Sequence, residues 1–143
     1  MNAPIPILMT DEQVLPLLGR IIGRGVNRTV YDWIGRDDVV IKVQNRLPCR
    51  ANYTEWLLYN QMRGAPALKT LFARVWALSD TGHYLVMERL APLPEDALLP
   101  PFPTFLTDRK RENFGLSPAG VKCLDYSEID LASTLIRAPF TDT

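Results

Sequence analysis

The chain is short of the residues that mark the commoner specialised classes. Its 143 residues include two cysteines and one histidine, and sixteen basic side chains cancel sixteen acidic ones. Cys49 and Cys123 stand in no CxxC or Cys/His spacing. That argues against a structural zinc and reads as two reduced thiols in a cytoplasmic protein. Without net charge there is no broad field to gather nucleic acid or an anionic membrane surface, so any polyanion has to be held locally. No eighteen apolar residues run together, and the start MNAPIPILMTDEQ has neither a basic segment nor a long apolar one. Membrane spanning and secretion are both disfavoured. There is no internal repeat. His83 follows Asp80-Thr81-Gly82, a hairpin-turn signal, and reads as an exposed turn histidine rather than a catalytic base.

What is present suits one soluble domain with a modest core. Residues 1–19 read as an amino-terminal extension, in which Thr10 and Gln13 have capping-box spacing and open a short helix limited by Pro16. Strand-like segments follow at Arg20–Gly23, Thr29–Ile34 and Val39–Val43, the last two joined by a turn at Gly35-Arg36-Asp37-Asp38. Ala51–Arg63 has helical periodicity, with Glu55, Leu58, Tyr59 and Met62 on one stripe. Phe72–Leu78 and His83–Met87 form a further hairpin. The expected fold over residues 20–90 is therefore α+β, a five-stranded antiparallel sheet with one main helix. Residues 91–107 carry Pro92, Pro94, Pro100, Pro101 and Pro103 and read as an extended connector or wrapping segment. Residues 108–143 hold a charged hairpin, with Val121–Leu124 as its second strand, and a tail from Ser127 that has the makings of one short helix.

Three features carry possible chemistry. Gly23-Arg24-Gly25 lies in a turn between strands, where backbone amides can approach phosphates, although a plain hairpin turn fits it as well. Lys42 lies in the apolar strand Val39-Val40-Ile41-Lys42-Val43, where alternation puts it with Val40 on the face opposite Val39, Ile41 and Val43. An edge-strand lysine is one explanation and an anion partner the other. Glu55 is the complementary oddity, a carboxylate on the core-facing stripe of the helix, and an ion pair with Lys42 would satisfy both groups.

Taken in order, these residues resemble the protein kinase family. The pieces are Gly23-x-Gly25 followed by Val30, then Val40-Ile41-Lys42, the helix glutamate Glu55, and Leu85-Val86-Met87-Glu88 as gatekeeper and hinge. Asp108-x-Lys110-x-x-Asn113 and Asp125-Tyr126-Ser127 complete the series. The resemblance implies a kinase-like N-lobe and a minimal phosphotransferase using ATP and Mg on hydroxyl side chains of a protein. Asp108 would orient or deprotonate the acceptor hydroxyl, Lys110 would neutralise the transferred group, and Asn113 with Asp125 would hold magnesium. Lys42, set by Glu55, would hold phosphates beneath the amides of Gly23 and Gly25. Ile22, Val30, Val40 and Met87 would enclose adenine, with backbone groups of Glu88 and Arg89 on its edge.

The chain also departs from that pattern. Arg28 stands in place of the third loop glycine, where it would also be able to contact phosphate. Leu106 replaces the histidine before the catalytic aspartate, and Ser127 replaces the glycine of the metal motif. The stretch from Arg89 to Thr107 is too short and too rich in proline for the usual helices. The sixteen residues after Ser127 cannot hold an activation segment, so the resemblance implies a C-lobe reduced to its catalytic and magnesium loops. Apolar residues such as Leu90, Leu93, Leu98, Leu99, Phe102 and Phe105, with Leu131, Leu135, Ile136 and Phe140 in the tail, would wrap over the small lobe. Otherwise they would face a partner protein or a second copy in a homodimer. Two further functions stay open: a non-catalytic kinase-like module that binds and regulates a partner, and phosphorylation of a small molecule such as an aminoglycoside. By analogy, so reduced a chain suits a host-directed phage protein or a bacterial effector.

Overall fold

The computed structural model describes residues 4–46 and 49–128. The tail residues Leu131, Leu135, Ile136 and Phe140 therefore lie outside the described residues, as does the helix expected after Ser127. The described residues form two compact units: 4–46, 49–61 and 74–89 make the first, and 62–73 with 90–128 the second.

The first unit is a six-stranded sheet with short helical segments. Its elements are β1 (Leu8–Met9), α1 (Asp11–Val14), β2 (Leu18–Arg24), β3 (Arg28–Trp33), β4 (Arg36–Gln44), α2 (Ala51–Gln61), β5 (Val75–Ser79) and β6 (Tyr84–Glu88). The strand order is β1-β5-β6-β4-β3-β2. Three expectations need correction. The sheet has six strands instead of five, because Leu8 and Met9 pair in parallel with Leu78 and Ser79, and it is mixed instead of wholly antiparallel. The turn between β3 and β4 is also tighter than the Asp-rich stretch suggested. Ile34 and Gly35 make it alone, Gly35 taking a φ of 79° that a side chain would resist, so β4 starts at Arg36. At α1, Thr10 and Gln13 form the full capping box, with Gln13 N–H donating to Thr10 Oγ1 and Thr10 N–H to Gln13 Oε1. Pro16 then confines the continuation to a single 3₁₀ turn at Leu15–Leu17.

Strand alternation in β4 sorts its side chains between two environments. Val39 and Ile41 are fully buried among Met9, Val14, Ala77, Tyr84 and Val86, each large aliphatic chain contributing roughly 1.5–3 kcal/mol. Val40 and Lys42 take the other face. Lys42 stands between Val30 on β3 and Leu85 on β6, and Val40 faces Met87. Helix α2 packs against this second face with Asn52, Glu55, Leu58 and Tyr59 buried. It gives way to a 3₁₀ turn at Met62–Gly64, ahead of Pro66.

The second unit contains α3 (Pro66–Lys69) and a three-stranded sheet of β7 (Ala91–Pro92), β8 (Phe114–Ser117) and β9 (Gly120–Cys123) in the order β7-β8-β9. Its core is aromatic. Phe72 meets Phe102, Phe105 and Tyr126 with ring centroids 6.0, 5.9 and 5.0 Å apart, and Phe102 meets Phe114 at 4.9 Å. Phe102 and Phe105 thus pack inside this unit, whereas Leu98 is 87% exposed. The proline-rich connector forms no helix. Two guanidinium groups take up its carbonyls instead: Arg109 donates to Phe102, Pro103 and Leu106, and Arg111 to Pro94, Glu95 and Ala97. Prolines cannot donate main-chain hydrogen bonds, so donors have to come from elsewhere.

Candidate functional site

In the first unit the site is built around Glu55. Its side chain is fully buried and accepts hydrogen bonds from two cations. Arg28 spans both carboxylate oxygens at 2.6 and 2.9 Å, and Lys42 Nζ reaches Oε1 at 3.0 Å. The ion pair between Lys42 and Glu55 is therefore formed, but Glu55 is shared with Arg28, which the sequence suggested as a phosphate contact in place of the third loop glycine. Burial pushes the Glu55 carboxyl upward, and the charges of Arg28 and Lys42 more than offset that, bringing it from the usual 4.5 down to about 2. It stays ionised at any physiological pH. Asn52, one helical turn before Glu55, accepts from Arg28 at 3.2 Å. Its Nδ2 donates to the carbonyls of Lys42, Gly82 and His83 at 3.0–3.1 Å.

The glycine-containing turn above this cluster is closed by its own hydrogen bonds. Gly25 N–H donates to Arg28 O at 2.8 Å, which occupies an amide expected to face phosphate. Asn45 reinforces the turn, with Nδ2 donating to Gly25 O and Val26 O and its main-chain N–H donating to Asn27 O. Gly23 lies opposite Val30, where a Cβ would find ordinary van der Waals space. Of the residues expected around adenine, Val40 and Met87 are buried, Val30 is half-buried and Ile22 is 42% exposed. The main-chain amides of Glu88 and Arg89 are taken up within the unit, donating to Arg74 O at 2.7 Å and Asp38 O at 3.0 Å. Arg28 itself, anticipated near phosphate, points inward to Glu55.

In the second unit the acidic and amide residues gather at one end of the β8–β9 hairpin. Phe114 pairs with Cys123, so Asn113 and Asp125 flank the same end, and Leu124 N–H donates to Asn113 O at 2.8 Å. Asn113 is buried, and its Nδ2 donates to Asp108 O at 3.3 Å, which ties the Asp108 loop to the hairpin. Lys110 Nζ lies 3.5 Å from Asp108 Oδ2 in a partly exposed pair worth at most about 1 kcal/mol. Ser127 Oγ donates to Asp125 Oδ1 at 3.4 Å. Asn113 Oδ1 and the Asp125 carboxylate are hard oxygen donors of the kind magnesium takes. One carboxylate and one amide match an ion held largely by a ligand's phosphates. Among the described residues no group of three or more His, Cys, Asp or Glu could hold a resident metal. No described helix is long and apolar enough to cross a membrane.

Asn52, Asn45, Arg109 and Arg111 were not singled out from the sequence. For Asn52 a signal existed, since it precedes Glu55 by three on the same helix and so shares its face. The other three act through main-chain carbonyls, which leave no pattern in a sequence. No protein-family model matches the chain, and no curated protein matches it in sequence.

Proposed function

We propose that the chain is a minimal protein-kinase-like phosphotransferase that uses ATP and Mg on hydroxyl side chains of a protein substrate. The observation that carries this reading is the buried Lys42–Glu55 pair, in which Glu55 is also held by Arg28 at the end of the glycine-containing turn. A lysine oriented by a buried carboxylate has its ammonium held in one direction, which suits it to grip an anion such as a nucleotide's phosphates. The second unit carries Asp108, Asn113 and Asp125 at one hairpin end. There Asp108 would accept the hydrogen bond of the acceptor hydroxyl and take up its proton, Lys110 would balance charge on the transferred group, and Asn113 and Asp125 would hold the cation. When bound, the nucleotide supplies the phosphoryl group and the magnesium ion offsets its charge. Placement and charge neutralisation make up most of such catalysis.

A second reading, a non-catalytic module that binds and regulates a partner protein, is favoured by the Gly25 amide. That donor is closed onto Arg28 O. Two measurements separate the readings. Thermal unfolding with Mg-ATP at one hundred times its dissociation constant should show roughly 2.7 kcal/mol of added stability. Incubation with labelled ATP and candidate substrates should then label a protein hydroxyl, and Asp108→Ala and Asp125→Ala should abolish that labelling. Equal labelling by both variants defeats the phosphotransferase reading, and stabilisation without labelling by the wild type favours the partner-binding module.

A further inference from the structure

The two cations on Glu55 do not hold it in the same way. Arg28 engages both oxygens through its two terminal nitrogens, and Lys42 reaches Oε1 with a single ammonium nitrogen. A planar guanidinium bound through two parallel hydrogen bonds fixes the plane of a carboxylate as well as its position, which a single ammonium contact cannot do. Arg28 also donates to Asn52, so one side chain grips two successive turns of α2. Its main chain closes the glycine-containing turn through Gly25 N–H, and Asn45 pins the tip of that turn. Asn52 carries the connection onward to the carbonyls of Lys42, Gly82 and His83. Helix, turn and lysine strand are thus linked through Arg28 and Asn52, and all of these partners belong to the first unit.

We propose that Arg28 is a positioning residue that ties the glycine-containing turn to α2 and fixes the plane of the Glu55 carboxylate, so that Lys42 is oriented before any ligand arrives. Its consequence for phosphate binding rests on the function proposed above; the tie itself does not. A helix that must be swung into place needs a device to move it, whereas this helix is held by a residue of the sheet. The lysine site is then permanently assembled.

The test uses the full chain, with Arg28→Lys and Arg28→Gln read by amide hydrogen exchange without nucleotide and by calorimetric binding of Mg-ATP. Arg28→Lys keeps the charge and loses the fork; Arg28→Gln loses both. Exchange over residues 23–30 and 52–59 should rise together by about tenfold or more in both variants. Exchange in the β1 and β4–β6 core stays as in the wild type. Mg-ATP affinity should fall about tenfold or more in both. If Arg28→Lys exchanges like the wild type in both segments, charge alone suffices and the tie is overturned. A wild-type protein that binds no Mg-ATP defeats the proposed function, and the exchange result still decides the tie. One measurement needs no variant: the Arg28 guanidinium hydrogens should give separate, slowly exchanging NMR signals, and a single averaged signal overturns the proposal even if both variants fail to fold.

Discussion

Replacing Glu55 by glutamine keeps the shape of the side chain and removes its charge, leaving Arg28 and Lys42 buried around a neutral amide. The cost follows from two directions. Taking one partner out of a buried ion pair typically costs about 3–5 kcal/mol. Independently, a carboxyl held near 2 instead of 4.5 stabilises the folded state by on the order of 3 kcal/mol. A loss of about 3–5 kcal/mol, or a melting temperature lower by roughly 10–20 °C, is therefore expected near neutral pH. Trp33, Trp56 and Trp76 all belong to the first unit, so tryptophan fluorescence during urea unfolding reports on the part of the protein where the change is made. The pH dependence has a defined sign. Because the folded-state value is depressed, the stabilisation from Glu55 is complete above about 4.5 and disappears as pH falls toward about 2. The gap between wild type and Glu55→Gln should hold constant from pH 7 to 5 and shrink below that, since the other carboxyls titrate in both proteins and cancel. A gap under about 1 kcal/mol at pH 7, or one that does not narrow in acid, would refute the reasoning.

Two further substitutions examine the second unit. At Gly115 an added Cβ would sit 2.6 Å from Leu90 Cβ and 2.9 Å from the Ala91 carbonyl, so Gly115→Ala should cost about 1–3 kcal/mol in thermal unfolding and loosen β7 from β8, seen as faster exchange of the β8 amides. Unchanged stability would mean that β7 is not docked as described. Tyr126→Phe removes the buried hydroxyl that donates to Ala73 O at 2.8 Å and should cost about 1–2 kcal/mol by denaturant titration, with m-value unchanged.

Alternation and turn chemistry made β2 to β6 legible in the sequence, because each strand carries its own pattern of apolar residues bounded by glycine or aspartate. The two residues of β1 carry no such pattern. Their place follows from parallel pairing with β5, some seventy residues away, and long-range register cannot be read from local composition. The turn at Ile34-Gly35 was displaced for a different reason. Aspartates 37 and 38 signal a turn, but Gly35 offers the positive φ that a two-residue connection needs, and Arg36 bonded to Asp38 can sit within the strand. Lys42 and Glu55 stood out because each violates the apolar pattern around it. Arg28 was described by the glycine it replaces, which hid the more telling feature. It begins a strand whose residue Val30 faces Lys42, so alternation places Arg28 and Lys42 on the same side of the sheet.

The way Arg109 and Arg111 satisfy the connector has a consequence for how this protein tolerates change. Six carbonyls between Pro94 and Leu106 accept from two side chains, those of Pro94 and Pro103 also from the main-chain N–H of Ala97 and Leu106, and a carbonyl is offered by any residue whatever its type. The identity of many connector residues should therefore be free to drift, while lysine in place of either arginine loses the planar fork that serves three divergent acceptors at once. Where a helical ladder spreads the risk of mutation over a dozen peptide groups, this segment concentrates it at two codons.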